Sequence, residues 1–297
     1  MKAKWNLFRI CLLGAAMLPA VAEAQFTFTT NDDNTITITG YTGPGGAVTI
    51  PGTTNGYPVT SIGDNVFYKC YSLTNVTIPN SVITIGSVAF TYCTNLTNVT
   101  LPNGITTIGD FAFFYCSRLT SVPFPNSVTD IGYSAFGACN SLTSVTIGTN
   151  VANIGDSAFA SCARLTAITV NALNPFYSSV AGVLFNHDQS VLIQCPGGKA
   201  GGYTISNSVI TIGDGAFGDC YSLTNVTIPN SVTSIGSGAF SYCTNLTSVA
   251  IPQRRHHHRG LRIRCLQQPD LDNGGYEQSV IQQCGWSLVR QEPDRAH

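Results

Sequence analysis

Charge is what this chain has least of. Only 10% of its 297 residues are Asp, Glu, Lys or Arg, with 14 basic side chains against 15 acidic ones and a formal net charge of −1. Without a basic surplus there is no electrostatic footprint for a phosphate backbone, so nucleic acid is excluded as a partner. Histidine is scarce as well: His187 is the only one before His256. No nucleophile–base arrangement forms around it, and Asp188 beside it reads as a turn residue. Long apolar runs are missing apart from Ile10 to Ala22, which is short for a bilayer.

What the chain has in abundance is repetition. The stretch Ser81 to Asn103, SVITIGSVAFTYCTNLTNVTLPN, recurs along most of its length. Ile62, Ile85, Ile108, Ile131 and Ile154 are each 23 residues apart, and Phe67, Phe90, Phe113, Phe136 and Phe159 keep the same step. The register returns with Ile212, Phe217 and Cys220, then Ile235, Phe240 and Cys243. A fixed period of this size marks a solenoid, in which each unit is too small to bury its own apolar face and must stack on its neighbours.

Within one unit, Asn98-Val99-Thr100-Leu101 alternates with period two and predicts a short strand with one buried face. Val82 to Ile85 predicts a second extended piece. Ser87 to Cys93 reads as a compact turn or short helix, giving the coil a helical corner. Pro102-Asn103 and Ile85-Gly86 punctuate the path.

The run Ile-Gly-x-x-x-Phe-x-x-Cys-x-x-Leu-Thr-x-Val-x-Ile-Pro stands at Ile62 to Pro79, Ile212 to Pro229 and Ile235 to Pro252. It resembles the BspA-like bacterial type of leucine-rich repeat over roughly residues 47–252. The resemblance implies a leucine-rich-repeat solenoid, a β-rich α/β fold with a parallel sheet on one face. It also implies cell-surface adhesion or interaction with a protein partner.

Taken in order, residues 1–24 read as a secretory signal peptide. Lys2, Lys4 and Arg9 precede the apolar run, and Ala22-Glu23-Ala24 places small residues at a cleavage site. The expected location is therefore secreted or cell-surface, with no membrane span in the mature chain. Residues 25–57 form an N-terminal β cap, with Phe26–Thr29 and Thr35–Thr39 as a hairpin around Asn31-Asp32-Asp33-Asn34. The solenoid occupies residues 58–252, interrupted at about 171–203 by 35 extra residues. There Val183-Leu184-Phe185 and Val191-Leu192-Ile193 flank a second hairpin turn, read as a decorated coil or, more sharply, a ligand-contacting loop.

The tail, residues 253–297, breaks the pattern. It opens QRRHHHRGLRIRCLQQPD, where the repeat calls for Asn-Ser-Val-Thr-x-Ile-Gly. Permitted codons for Gln253 to Asp270, read one base later, spell the next repeat. The tail is therefore expected to be the product of a frameshift, in the gene or in its reading, and the solenoid to end on an open edge. The same account explains His256-His257-His258 without a metal.

Eleven cysteines in an exported chain invite disulfides. Seven of them, Cys70, Cys93, Cys116, Cys139, Cys162, Cys220 and Cys243, share one repeat position. Stacked coils bring them within bonding range, yet laddered side chains point the same way and an odd set cannot pair fully. A reduced, buried ladder is the favoured expectation. Asp130, Asp156, Asp214 and Asp219 sit at corners suited to turns and caps, so no catalytic residue, cofactor site or metal site is assigned. The glycosylation-type triplets at Asn75, Asn95, Asn98, Asn225 and Asn245 follow from the repeat itself.

What remains is surface. The outward strand positions form two ladders: Asn75, Asn98, Ser121, Ser144, Asn225 and Ser248, and Thr77, Thr100, Thr146, Thr169 and Thr227. Threonine suits strands in its own right. The ladders also make the candidate binding surface, a low-charge face for a protein or glycan ligand. The alternatives are a purely structural surface module and, least supported, a glycan-processing enzyme.

Overall fold

The computed structural model describes residues 25–250 and the backbone of Arg262–Ile263 and Ser287–Leu288. The signal segment and most of the tail lie outside the described residues. Two ribbons of parallel strands run along a stack of coils. One ribbon collects the Ile-Gly segments: Tyr57–Ile62, Thr84–Ile85, Thr107–Ile108, Asp130–Ile131 and Asn153–Ile154, each in register with the next. The other collects the Val segments, such as Leu73–Thr77 and Asn98–Thr100, where Val76 pairs with Val99. Side chains alternate along each strand, so the Ile and Val positions of stacked coils face the interior between the ribbons.

That interior is the predicted one. Phe67, Phe90, Phe113, Phe136 and Phe159 are all buried, their rings stacked at 4.9, 5.0, 5.1 and 5.8 Å between centroids. Leu73, Leu96, Leu119, Leu142 and Leu165 close it from the far side of the corner. The glycine after each isoleucine has a steric reason. A Cβ on Gly109 would lie 2.7 Å from the carbonyl carbon of Gly86 in the coil below, so the backbones stack too closely for any side chain there.

The corner departs from expectation, and the helical reading is corrected. No α-helix occurs among the described residues. In the second coil Val88 and Tyr92 adopt left-handed backbone, with φ of 62° each, and the same two positions repeat as Phe111 and Tyr115, Ser134 and Ala138, and Ser157 and Ser161. This backbone sends the N–H groups of Val88, Phe90 and Tyr92 to the carbonyls of Asp110, Ala112 and Phe114 in the next coil, at 2.8, 2.7 and 2.8 Å. A helix would spend those donors internally and leave the corners of adjacent coils unbonded. Cooperativity between coils outweighs local helix formation.

The N-terminal hairpin, Phe26–Thr30 against Ile36–Tyr41, covers the first edge, with Ile36–Tyr41 running parallel to Tyr57–Ile62. Tyr41 sets its ring 4.9 Å from Phe67 and so closes the Phe stack. The interruption is more than a hairpin. Tyr177–Val180, Val183–Asn186 and Val191–Gln194 form a three-stranded meander, and its last strand pairs in parallel with Thr211–Ile212.

This meander repeats the plan of the N-terminal cap. In the cap turn Asn31 Nδ2 donates to Thr35 Oγ1, and the Thr35 amide and hydroxyl both donate to Asp33 Oδ1. In the meander Asn186 Nδ2 donates to Ser190 Oγ, and the Ser190 amide and hydroxyl both donate to Asp188 Oδ1. Each turn is followed by a strand whose carbonyl, of Ile38 or Leu192, accepts from the first Ile-Gly glycine, Gly63 or Gly213. Each then enters the Val ribbon through a bulge at a left-handed glycine, Gly46 (φ 74°) or Gly201 (φ 79°).

The core divides accordingly. One cluster runs from Phe26 to Ile168 and the other from Val183 to Val249, with Leu184 of the meander packed into the first. Specific polar plugs seal the junction. Gln194 is buried, and its Oε1 accepts the Phe159 amide that in other coils bonds the next alanine carbonyl. Asn174, also buried, donates to the carbonyls of Gly148 and Val151 and accepts from the amides of Phe176 and Tyr177. At the far end, Arg262–Ile263 and Ser287–Leu288 extend the two ribbons by one strand each. Tail backbone thus lies where an open edge was expected, with Ile263 in register with Ile235 and Leu288 with Val249.

Candidate functional site

The candidate residues lie on the outward side of the Val ribbon, except Ser121, which falls in a gap between its strands. Asn75, Thr77, Asn98, Thr100, Ser121, Ser144, Thr146, Thr169 and Asn225 are exposed, while Thr227 and Ser248 are half-buried. Alternation produces this directly: Val76, Val99, Val145 and Val226 point in, so their flanking residues point out. Thr146 and Thr169 are bonded to each other across adjacent coils at 3.1 Å.

The face is not continuous. Ser121-Val122-Pro123-Phe124 forms no strand, and the ribbon breaks into a three-stranded sheet, the pair Ser144–Ile147 with Ala167–Val170, and a sheet that starts at Gly201. Pro123 has no N–H to donate at the position where the neighbouring coils place Thr100 and Thr146. Beyond Ala167 the meander closes in, since the Ile168 amide bonds the Gly182 carbonyl.

The acidic residues are bound up in joining coils. Asp64, Asp110 and Asp214 each accept the amide of the residue 23 positions on, Ser87, Tyr133 and Ser237, at 2.7, 2.7 and 2.6 Å. Asp130 accepts from Thr129 and Asn153, and Asp219 accepts from Ser161 and Tyr221. Asp156 contributes its backbone carbonyl to Ser134. His187 is exposed on the meander turn. Among the described residues no group of three His, Cys, Asp or Glu side chains is placed to hold a metal ion, and no helix is long and apolar enough to cross a membrane.

The repeat cysteines form a ladder of free thiols. Four in the first stack donate their S–H to the phenylalanine carbonyl of the coil below: Cys93 to Phe67, Cys116 to Phe90, Cys139 to Phe113 and Cys162 to Phe136, at 3.1 to 3.2 Å. Burial pushes these thiols up, Cys162 to about 12 and Cys93 and Cys116 further, so they stay protonated and unreactive.

Sequence reasoning missed an aromatic patch on the turn face. Tyr68, Tyr92, Phe111, Phe114, Tyr115 and Tyr133 form one contiguous cluster across four coils. Tyr92 stacks on Tyr115 at 5.1 Å, and Lys69 Nζ sits 4.9 Å over the Tyr68 ring. Tyr68, Tyr115 and Tyr133 remain 43%, 41% and 46% exposed, and Tyr71 beside them 51%. The available signal was that Tyr92 and Tyr115 occupy one repeat position in consecutive coils, preceding the cysteine.

Stacked coils of this period, with a strand per coil and a shared Phe/Leu interior, define a leucine-rich repeat solenoid. The sequence matches the family described as "BspA type Leucine rich repeat region" in six copies over residues 60–181 and 200–259, and the chain belongs to that family. A T. pallidum leucine-rich repeat protein is similar at 30% identity, covering 75% of this chain and 88% of that one, with a TM-score of 0.54. A leucine-rich repeat protein of Eubacterium ventriosum is similar at 26% identity over 82% of this chain and 72% of that one, with a TM-score of 0.59. The pneumococcal vaccine antigen PcpA shares the fold, at 21% identity over 77% of this chain and 70% of that one, with a TM-score of 0.58. Comparison with curated proteins gives no match.

Proposed function

We propose that the chain is an exported protein of the cell surface or extracellular space that acts by binding another protein, without catalysis of its own. The observation that carries this reading is the Val ribbon. Its outer side presents small, uncharged, hydrogen-bonding side chains, Asn75, Thr77, Asn98, Thr100, Ser144 and Thr146, whose ribbon neighbours do not cover them. Membership of the BspA type and the signal-like residues 1–24 support the location. The engagement of Asp64, Asp110, Asp130, Asp214 and Asp219 in bonds between coils supports a scaffold over an enzyme.

The test is a binding screen of the full chain against purified extracellular-matrix proteins and glycans, run beside the Asn98→Arg/Thr146→Arg variant. Saturable binding to a protein, lost in the variant because two added charges must be desolvated on the sheet face, is the expected result. A glycan hit with no protein hit, or identical behaviour of both chains, would replace this reading.

A further inference from the structure

The turn face of the first four coils carries the features that the sheet face lacks. Tight protein interfaces centre on a few rigid aromatic anchors, and exposed apolar patches on a folded chain mark places where something docks. Here the anchors are held in place before any partner arrives. Tyr92 is fixed between Tyr68, Phe114 and Tyr115, and Phe111 bridges Phe114 and Tyr133. Tyrosine offers this contact area with little rotamer entropy to lose.

The rings also say which chemistry fits. Tyr92 and Tyr115 are stacked on each other, Tyr68 meets Tyr92 edge-on and Lys69 sits over the Tyr68 ring, so these ring faces are already engaged within the cluster. A sugar ring needs an open aromatic face to lie on. Ring edges carry the positive end of the quadrupole and instead suit carboxylates and carbonyl oxygens. Charge points the same way. Residues 25–250 hold only four basic side chains, Lys69, Arg118, Arg164 and Lys199. The first three lie in the turns flanking the repeat cysteines, and Lys69 meets rings, with no carboxylate among its partners. The Asp64 and Asp110 carboxylates accept backbone amides without losing their charge, but neither is among the partners of Lys69.

We propose that the patch of Tyr68, Tyr71, Tyr92, Tyr115 and Tyr133, with Lys69 beside it, is a docking surface for an acidic segment of another protein. This rests on the reading of the chain as a protein binder and names a second face and the partner's character.

The probe is immobilised poly(Glu,Tyr) copolymer, with polylysine and heparin as comparison surfaces. The test variant is Tyr68→Ser/Tyr92→Ser/Tyr115→Ser. Other coils already use serine at these positions, as Ser241 and Ser161, so the backbone tolerates it. A second variant, Lys69→Asp, copies Asp219. The full chain is expected to bind poly(Glu,Tyr) in a salt-sensitive way. The triple variant should lose at least roughly tenfold in affinity, and Lys69→Asp should lose less, with circular dichroism unchanged in both. No binding, equal binding to polylysine, or heparin binding that the triple variant abolishes would overturn the proposal. So would a self-association in sedimentation that the triple variant removes. Matrix-protein binding that survives the triple variant but not Asn98→Arg/Thr146→Arg would defeat this proposal and leave the broader reading standing.

Discussion

The two stacks of this molecule are built from one repeat yet start and continue differently. The first runs five coils from its cap with an unbroken column of phenylalanine rings, closed at one end by Tyr41. The second has Phe217 on Phe240 at 4.8 Å and begins with its own cap-like meander, and among the described residues no ring contact joins Phe217 to Phe159. A leucine-rich coil exposes two edges of unpaired backbone, and a stack cannot begin without something to cover one of them. The insertion supplies that cover and fills the gap between the stacks with Val183, Leu184 and Phe185, all buried. What resembles a decoration in the linear sequence is a second start.

That comparison can be broken most forcefully in the cores. Phe113→Ala should cost about 3–5 kcal/mol through lost contacts and a cavity, and Phe217→Ala a similar amount. The two should differ in reach: amide exchange after Phe217→Ala should rise beyond Val183 and leave residues 57–165 protected. Leu184→Ala tests the coupling, because this is the fully buried side chain that the meander places in the first core, with Tyr177 and Ile193 of the same meander packed against that core. It should cost about 2–4 kcal/mol and split a single denaturation transition into two, read by circular dichroism.

Smaller effects sharpen the picture. Val88 is a β-branched residue at φ 62°, where the equivalent residue of the first coil is Asn65 at 61°. Val88→Asn should therefore stabilise the first stack by up to about 1 kcal/mol, visible as a raised thermal midpoint. The smallest effect is expected at the cap turns. The hydrogen bonds from Thr35 and Ser190 hold the Asp33 and Asp188 carboxyls below their ordinary value of 3.8. A depressed carboxylate adds stability that is present above its unfolded value and is lost as pH falls through the folded value. Asp33→Asn and Asp188→Asn should each flatten stability against pH below about 4, and leave it unchanged in slope at neutral pH.

The period made the interior legible, because Ile85, Phe90, Leu96 and Val99 repeat at positions that only stacking can bury together. Asn31 to Asn34 and Asn186 to Ser190 announced their hairpins by turn chemistry. The corner could not be read the same way. Seven residues are too few to separate a short helix from a chain of turns by periodicity, and the deciding bonds run to the next coil. The strand Tyr177–Val180 lacked the alternation that marks a strand. The aromatic patch was hidden for a different reason: outward turn positions are free of the repeat's packing constraint, so Tyr68, Phe114 and Tyr133 looked like ordinary variation. The Val face carried its one warning in plain view, at Pro123.

Amide hydrogen exchange across the intact chain tests the central claim, that two separately capped stacks meet at the insertion. The account predicts strong protection from Val183 to Gln194, comparable with the coils on either side, and two groups of amides that open with different free energies, divided near residue 175. Rapid exchange in the meander, or one common opening energy from Phe28 to Val249, would contradict it.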